Sequence, residues 1–169
     1  MIADEPPFNR TDYREMATDD PCAHVYLDKP IEHWLRYLEH PDPLHRRLGA
    51  HALSVIGPEG GSKAVDALTA ALNDSKSFVR VWAAAALAHV DPSQRRALET
   101  LMAGLEDPQS FVRSLSAWQL GRLGPTLPGV EAAVPTLLEL LQDGDPSVRV
   151  EAEIALKTIQ VDHPRVRNS

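Results

Sequence analysis

Leu105-Glu-Asp-Pro-Gln-Ser-Phe-Val-Arg113 occurs in four related forms along this chain. The other three are Leu38-Glu-His-Pro-Asp-Pro-Leu-His-Arg46, Leu72-Asn-Asp-Ser-Lys-Ser-Phe-Val-Arg80 and Leu141-Gln-Asp-Gly-Asp-Pro-Ser-Val-Arg149. The four arginines are 34, 33 and 36 residues apart, and a leucine follows each of them after seven residues. Repetition with a period of about 20 to 50 residues is typical of solenoids and other repeat arrays.

Each copy has the pattern of a turn between two helices. Before the turn, apolar residues recur every three or four positions, as expected for one helical face; the sets are Ile31, Trp34, Leu35 and Leu38, and Val134, Leu137, Leu138 and Leu141. Asp42-Pro43 and Asp145-Pro146 place an N-cap acceptor before a proline that suits the first helical position. The second helix is predicted to bury Val79, Ala83, Ala86, Leu87 and Val90 in one copy, and Val112, Ser116, Gln119, Leu120 and Leu123 in the next.

Breakers rich in glycine and proline separate the copies and divide the chain. Residues 1–30 are predicted to form an irregular acidic arm, residues 31–160 four repeats, and residues 161–169 a C-terminal tail. The predicted repeats span 31–57, 63–90, 93–124 and 131–160. Because one helical pair cannot bury its apolar face alone, we expect the four pairs to stack. The predicted fold class is all-α, an α-solenoid (α-α superhelix).

The repeated string Leu-x-Asp-Pro-x-x-x-Val-Arg, followed by alanine-rich residues and by Gly121-Arg-Leu-Gly124, resembles HEAT repeats. The likeness is to the short bacterial type, found in HEAT-like phycobilin-lyase proteins, and it covers residues 31–159. Tetratricopeptide repeats share a similar period and are the alternative, but their Trp and Gly-Tyr signature does not fit these positions.

The resemblance also implies a ladder of charged side chains. In HEAT arrays the arginine meets an aspartate in the inter-helix turn or in the adjacent repeat. By this resemblance we expect a structural ladder made of Asp74, Arg80, Asp107, Arg113, Asp143 and Arg149. The first repeat departs from the pattern, because His40 stands where the aspartate is expected. A capping role is therefore expected for this repeat, and the partner of Arg46 stays open.

Charge and composition narrow the class of partner. The chain has 17 Lys and Arg against 24 Asp and Glu, a net charge of −7, and residues 1–30 hold seven of the acids. An acidic chain is a poor default partner for nucleic acid or an anionic membrane, so a protein or peptide partner is expected. The single cysteine excludes an intrachain disulfide, and no apolar stretch is long enough to span a bilayer. The predicted compartment is the cytoplasm, and the oligomeric state stays open.

No motif predicts catalysis or a bound metal. Gly57-Pro-Glu-Gly-Gly-Ser-Lys63 lacks the second glycine and the following Ser or Thr of a phosphate-binding loop. The seven histidines form neither His-x-x-x-His nor His-Glu-x-x-His. We therefore expect a non-catalytic protein without a cofactor. The alternative, which rests on the phycobilin-lyase likeness, is an accessory lyase-like or chaperone-like factor that handles a bound cofactor.

The second helices line the concave face of such arrays, as the resemblance implies. Counted from each arginine, positions 1, 4, 5 and 8 are expected to point outward from this face. Its middle is apolar, and an exposed apolar area with a tryptophan is typical of an interaction site. The predicted partner-binding residues are His51, Val81, Ala85, Trp118, Val150 and Ile154. Trp82 is assigned mainly to the core, and the arm or a second copy of the chain is the alternative cover for this face.

Overall fold

A computed structural model of the chain describes residues 29–124 and 126–162, with side chains described as far as Ile159. These residues form eight α-helices: α1 Ile31–Leu38, α2 Pro43–Ile56, α3 Gly61–Ala71, α4 Ser77–Val90, α5 Arg95–Leu105, α6 Ser110–Leu123, α7 Val134–Leu140 and α8 Pro146–Asp162. Short 3-10 helices, Gly57–Gly60 and Val130–Ala133, precede α3 and α7. Residues 1–28 of the predicted acidic arm and the predicted tail beyond residue 162 lie outside the described residues.

The helices pair in chain order into four antiparallel hairpins, which are the structural counterparts of the four predicted repeats. The second helices α2, α4, α6 and α8 pack side by side in one layer, and the first helices α1, α3, α5 and α7 pack against them. No strand occurs within the described ranges. The predicted all-α solenoid is confirmed.

Side-chain caps start α2 and α8, the two second helices whose first residue is a proline. Asp42 accepts a hydrogen bond from the Leu44 N–H at 2.9 Å, and Asp145 accepts one from the Ser147 N–H at 2.8 Å. Each cap satisfies one of the backbone donors that a helix N-terminus leaves without an internal partner. The predicted start of α2 at Pro43 and of α8 at Pro146 is confirmed.

The core lies between the two layers and between successive repeats. All ten residues predicted for the inward faces of α4 and α6 are buried. Of the apolar residues predicted for the first helices, Trp34 and Leu137 are buried, whereas Leu138 is 49% exposed. The prediction for Leu138 is wrong because one residue along a helix turns the side chain by about 100°, away from the face that buries Leu137.

The charged ladder connects the turns of neighbouring repeats. Arg113 donates two hydrogen bonds to the carboxylate of Asp143 in the next repeat, at 2.8 and 2.9 Å. Arg46 does the same with Asp74, at 2.6 and 2.9 Å, which identifies the partner that the sequence left open. In all four repeats the arginine Nη1 also donates to the backbone carbonyl six residues before it, the carbonyls of His40, Asp74, Asp107 and Asp143. Each arginine thus closes its own turn.

One step of the ladder is missing, between repeats 2 and 3. Within the described residues, the only hydrogen bond from the Arg80 side chain goes to the Asp74 carbonyl, and Arg80 and Asp107 form no ion pair. The interval from arginine to aspartate is 107 − 80 = 27 residues here, against 28 and 30 at the two steps that pair. The second helices α4 and α6 also pack less extensively against each other than α2 against α4 or α6 against α8. The junction between repeats 2 and 3 therefore lacks an arginine–aspartate pair and has the least packing between second helices, while α4 packs against α5 across it.

Candidate interaction face

Close contacts with neighbouring helices show the direction in which the side chain at each second-helix position points. Gly49, at position 3 after its arginine, lies against the Trp34 carbonyl and the Tyr37 side chain of α1. Ser116, at position 3 of α6, lies against Gly104 of α5. Position 3 therefore faces the first helix of its own repeat. Position 5 is two residues further, about 200° around the helix, so it points away from the first helices.

Positions 1 and 8 face the following repeat, which corrects the predicted register. A Cβ at Gly121, position 8 of α6, would lie 3.1 Å from the Ala155 Cα of α8. The Cγ2 of Val81, position 1 of α4, would lie 3.0 Å from a Cβ at Gly104 in the next repeat. The absence of a Cβ at Gly121 lets α6 and α8 approach closely. The predicted outward direction is therefore wrong for Val81.

The six predicted partner-binding residues consequently divide into three groups. His51, Ala85 and Trp118 point away from the first helices but are only 5%, 5% and 8% exposed. Val81 is buried between repeats. Val150 and Ile154 are exposed, at 38% and 39%, and lie on α8, which no further repeat follows within the described residues. The expected exposure is wrong for the first four residues, while a role of all six in partner binding stays a prediction.

Aromatic side chains form a continuous strip across the second helices. The ring of His51 on α2 lies 5.5 Å from Trp82 on α4, and Trp82 lies 6.0 Å from Trp118 on α6, both edge to face. Beside them, the rings of Phe78 and Phe111 are 6.3 Å apart. We call these five residues the aromatic strip. Edge-to-face pairs contribute about 0.5–1.5 kcal/mol beyond their burial, so the strip also connects three repeats.

Two arginines lie on the tryptophan rings. The guanidinium carbon of Arg47 is 5.7 Å from the centre of a Trp82 ring, and that of Arg122 is 4.9 Å from a Trp118 ring. These distances are typical of cation–π contacts. Partial burial and then the neighbouring Arg122 charge lower the pKa of His89, and burial lowers the pKa of Arg122. The strip therefore combines apolar rings with fixed positive charge.

Two clefts lie outside the strip. One, of about 340 Å³, opens between repeats 2 and 3 and is lined by Ser77, Arg80, Arg96, Thr100 and Asp107 among others. The other, of about 600 Å³, lies between α1 and α3 and is lined half by leucine and alanine and half by polar or charged residues such as Glu39, Lys63 and Asp66. Within residues 29–124 and 126–162, no three His, Cys, Asp or Glu side chains group together as metal ligands. No helix in the same ranges is long and apolar enough to cross a membrane.

Helical hairpins stacked in two layers define the class of α-solenoid repeat proteins. Within that class, the family model for HEAT repeats matches residues 31–121 and 79–157, so the chain belongs to the HEAT-repeat family. Its fold is similar to the crystal structure of an engineered protein, a target of the Northeast Structural Genomics Consortium, with a TM-score of 0.57 and 24% identity. The match covers 87% of this chain and 69% of that one. No curated protein matches the chain.

The sequence contained a signal for the strip that the predicted register did not use. Phe78 and Phe111 occupy the same place in the recurring string Ser-Phe-Val-Arg, two residues before the arginine. Position −2 and position 5 differ by seven residues, which is nearly two helical turns, so both lie on the same side of the helix. The spacing therefore relates Phe111 to Trp118, whereas no spacing rule shows that Trp82 reaches Trp118 across two helices.

Proposed function

We propose that this chain is a non-catalytic scaffold that binds a protein or peptide on its second-helix face. This face is the side of α2, α4, α6 and α8 that points away from the first helices. The observation that supports the proposal best is the aromatic strip, which crosses three repeats and continues in register to exposed Ile154 on α8. HEAT repeats usually act as protein-interaction scaffolds.

The accessible part of this surface is on the last repeat. Ile154 and Val150 are four residues apart, so their side chains are neighbours on α8. Because each is little more than one-third exposed, burying the remaining apolar surface of one side chain stabilises a complex by about 1 kcal/mol. Beside them, Lys157 and Glu153 form an ion pair at 2.6 Å, which gives the apolar pair a polar border. An amphipathic helix or an extended peptide with apolar anchors suits such a surface.

Capture of partners by the full chain tests this proposal. Ile154→Glu places a charge on the second-helix face, and Leu138→Glu makes the same chemical change at an exposed leucine of the first-helix layer. We expect Ile154→Glu to lose at least one protein that the wild type and Leu138→Glu both recover from a lysate of the source cells, measured by quantitative mass spectrometry. Equal recovery by all three would contradict the proposed face, provided that circular dichroism shows equal helicity.

The absence of catalysis and of a cofactor belongs to the same proposal. A purified chain without visible absorbance is the expected result, since a scaffold needs no chromophore. A bound chromophore would favour the lyase-like or chaperone-like alternative instead. The cytoplasm remains the proposed compartment, supported by the presence of a single cysteine.

A further inference from the structure

Most of the aromatic strip is shielded from solvent over repeats 2 and 3, although Phe111 is only partly buried. Trp82 and Trp118 are 4% and 8% exposed, no more than Leu98, an interior residue of α5 at 9%. Phe78 and Ala85 on the same face are equally buried. An open array would leave the outer side of its second helices in water, as Ile154 shows at the same position of α8. The burial of the strip therefore requires something on its outer side.

The described helices lie on the other sides of the strip. α4 packs between α2 and α6 in its own layer and against α3 and α5 in the first-helix layer. None of the helices in the described ranges lies on the remaining side. Arg47 and Arg122 lie over part of the rings, but Arg47 is itself only half-buried and Arg122 is exposed, so they leave part of this side uncovered.

We propose that residues 1–28 of this chain occupy the second-helix face and cover the aromatic strip. Position and length fit this assignment, because the segment joins the array at Lys29, directly before α1. Twenty-eight residues span about 42 Å as a helix and about 95 Å when extended. Three second helices packed about 10 Å apart span only about 20 Å, so the segment can reach from repeat 1 to Trp118 in either conformation.

The composition of the segment complements the strip. Residues 1–28 contain seven acidic and two basic side chains, a net charge of −5, and they face a strip that carries Arg47 and Arg122. The segment is also more apolar than an ordinary linker; its large apolar side chains include Phe8, Tyr13, Met16, Val25, Tyr26 and Leu27. Apolar groups suit the indole and phenyl rings, and carboxylates suit the arginines at their edges.

In this position, residues 1–28 regulate the access of a partner to the second-helix face. This part of the inference rests on the proposed function. A segment on the same chain has an effective concentration on the order of millimolar at its own face. A partner for the strip must therefore displace residues 1–28, and its apparent affinity is reduced by the fraction of molecules with an open face. Ile154, outside the covered region, stays available for first contact.

Cross-linking of the full chain tests the assignment, because Cys22 is the only cysteine and lies in this segment. His89→Cys adds a second thiol at an exposed position on α4. His89 follows Arg80 by nine residues, as Arg122 follows Arg113, so the two residues occupy equivalent positions beside the strip. Ser62→Cys adds one at an exposed position on α3, in the first-helix layer of the same repeat. Seven peptide steps join Cys22 to Lys29, about 24 Å at full extension, and position 62 lies near this attachment because Lys63 pairs with Glu32 of α1, so a segment with no preference for the face would reach the Ser62→Cys thiol readily. The Ser62 variant is thus a matched control.

With a short bis-maleimide at about 10 µM protein, we expect the His89→Cys chain to link Cys22 to its introduced thiol within one molecule. This link should form roughly 100-fold faster than any link between copies. Peptide mapping identifies it, and the Ser62→Cys chain should form far less of its own. Equal rates in the two variants would overturn the proposal. Links mainly between copies, with rates that rise with concentration, would overturn it in favour of a second chain on the face.

Tryptophan fluorescence of the full chain gives an independent measurement, because residues 1–28 contain no tryptophan. Replacing Phe8, Tyr13 and Met16 by serine should shift the emission to the red and increase acrylamide quenching. Unchanged emission and quenching would contradict the cover. If the cross-linking or the fluorescence contradicted the cover, the expected effect of Ile154→Glu on partner capture would be unchanged. The inference and the proposed function can therefore be disproved separately.

Discussion

Arg113 joins its own turn to the next repeat through a single guanidinium group. Its Nη1 donates to the Asp107 carbonyl, while Nε and Nη2 hold the Asp143 carboxylate in a two-point contact. The Asp143 side chain is only 7% exposed, and its Oδ1 also accepts the Asp145 N–H. Fixed geometry and low exposure distinguish this pair from a surface ion pair of negligible net effect.

Asp143→Asn should therefore destabilise the chain by about 2 kcal/mol, because the amide can still accept the Asp145 N–H but cannot match the charge of Arg113. Urea unfolding followed by circular dichroism measures the change. Asp107→Asn is the matched control, since Asp107 accepts the Gln109 N–H but pairs with no arginine among the described residues. We expect it to cost less than about 0.5 kcal/mol. Equal costs would contradict the unequal ladder.

The same pairs predict how stability depends on pH. Hydrogen bonding from Arg113 lowers the pKa of Asp143. Burial acts to raise the pKa of Asp74, but hydrogen bonds from Arg46 and the Lys76 N–H outweigh it, so this pKa is also lowered. A carboxylate with a lowered pKa in the folded state stabilises the fold above the unfolded value of about 4, and this contribution disappears as the pH falls through the folded pKa.

Unfolding free energy should accordingly decrease steeply when the pH falls below about 4 in the wild type, and less steeply in the Asp74→Asn, Asp143→Asn double variant. Urea titrations at a series of pH values measure both slopes. Asp107→Asn should keep the wild-type slope. A double variant as steep as the wild type would show that other carboxylates dominate the acid response.

At the scale of helices, contact between α5 and α6 depends on one residue without a side chain. A Cβ at Gly104 would overlap Ser116 Oγ and lie 3.0 Å from Val81 Cγ2. Ser116 is fully buried, and its hydroxyl has no hydrogen-bond partner in the described part of the chain. Gly104 thus sets how closely α5 approaches α6, the second helix of its own repeat, and α4, the second helix of the preceding repeat.

Gly104→Ala should cost about 2 kcal/mol through overpacking, measured by urea unfolding. Removing the Ser116 hydroxyl in Gly104→Ala, Ser116→Ala should restore part of that loss, because the hydroxyl is the atom in the way. Gly144→Ala is the control, since a Cβ there meets no described atom within 4 Å. An equal effect at Gly104 and Gly144 would contradict the close approach of α5 to α6.

The amino-acid pattern predicted the helices and the inward face well because both depend on local periodicity. Val112, Leu120 and Leu123 are buried where a period of 3.6 residues places them. The outer register was wrong in part, because the direction of Val81 depends on where the next repeat packs. That placement comes from close contacts such as Gly121 with Ala155, which sequence spacing does not define. Exposure of Trp118 depends in addition on what covers the face.

At the scale of the whole molecule, the missing ladder step divides the array into two halves. Repeats 1 and 2 are joined by Arg46 with Asp74, and repeats 3 and 4 by Arg113 with Asp143. The stability of a repeat array is approximately a sum of repeat terms and nearest-neighbour interface terms. The junction between repeats 2 and 3 keeps the α4–α5 packing and the aromatic strip but has no arginine–aspartate pair, so we expect it to transmit less stabilisation than the other two junctions.

Hydrogen exchange measured by mass spectrometry tests this division. Asp74→Asn should lower protection mainly in α1–α4, and Asp143→Asn mainly in α5–α8, because each variant weakens the interface within one half. Each variant serves as the control for the other. Uniform loss of protection across all eight helices in both variants would show that the array opens as one unit.

The gap between Arg80 and Asp107 also has a mechanical consequence. When a helical array is bent or stretched, most of the deformation occurs at the junction with the weakest contacts between repeats. In this chain the junction without a charged pair lies in the middle, beside Trp82 and Trp118, so we expect bending to concentrate there and to change the curvature of the second-helix face without unfolding any helix. Such bending would let the second-helix face fit ligands of different width, with repeats 1–2 and repeats 3–4 each moving as a unit.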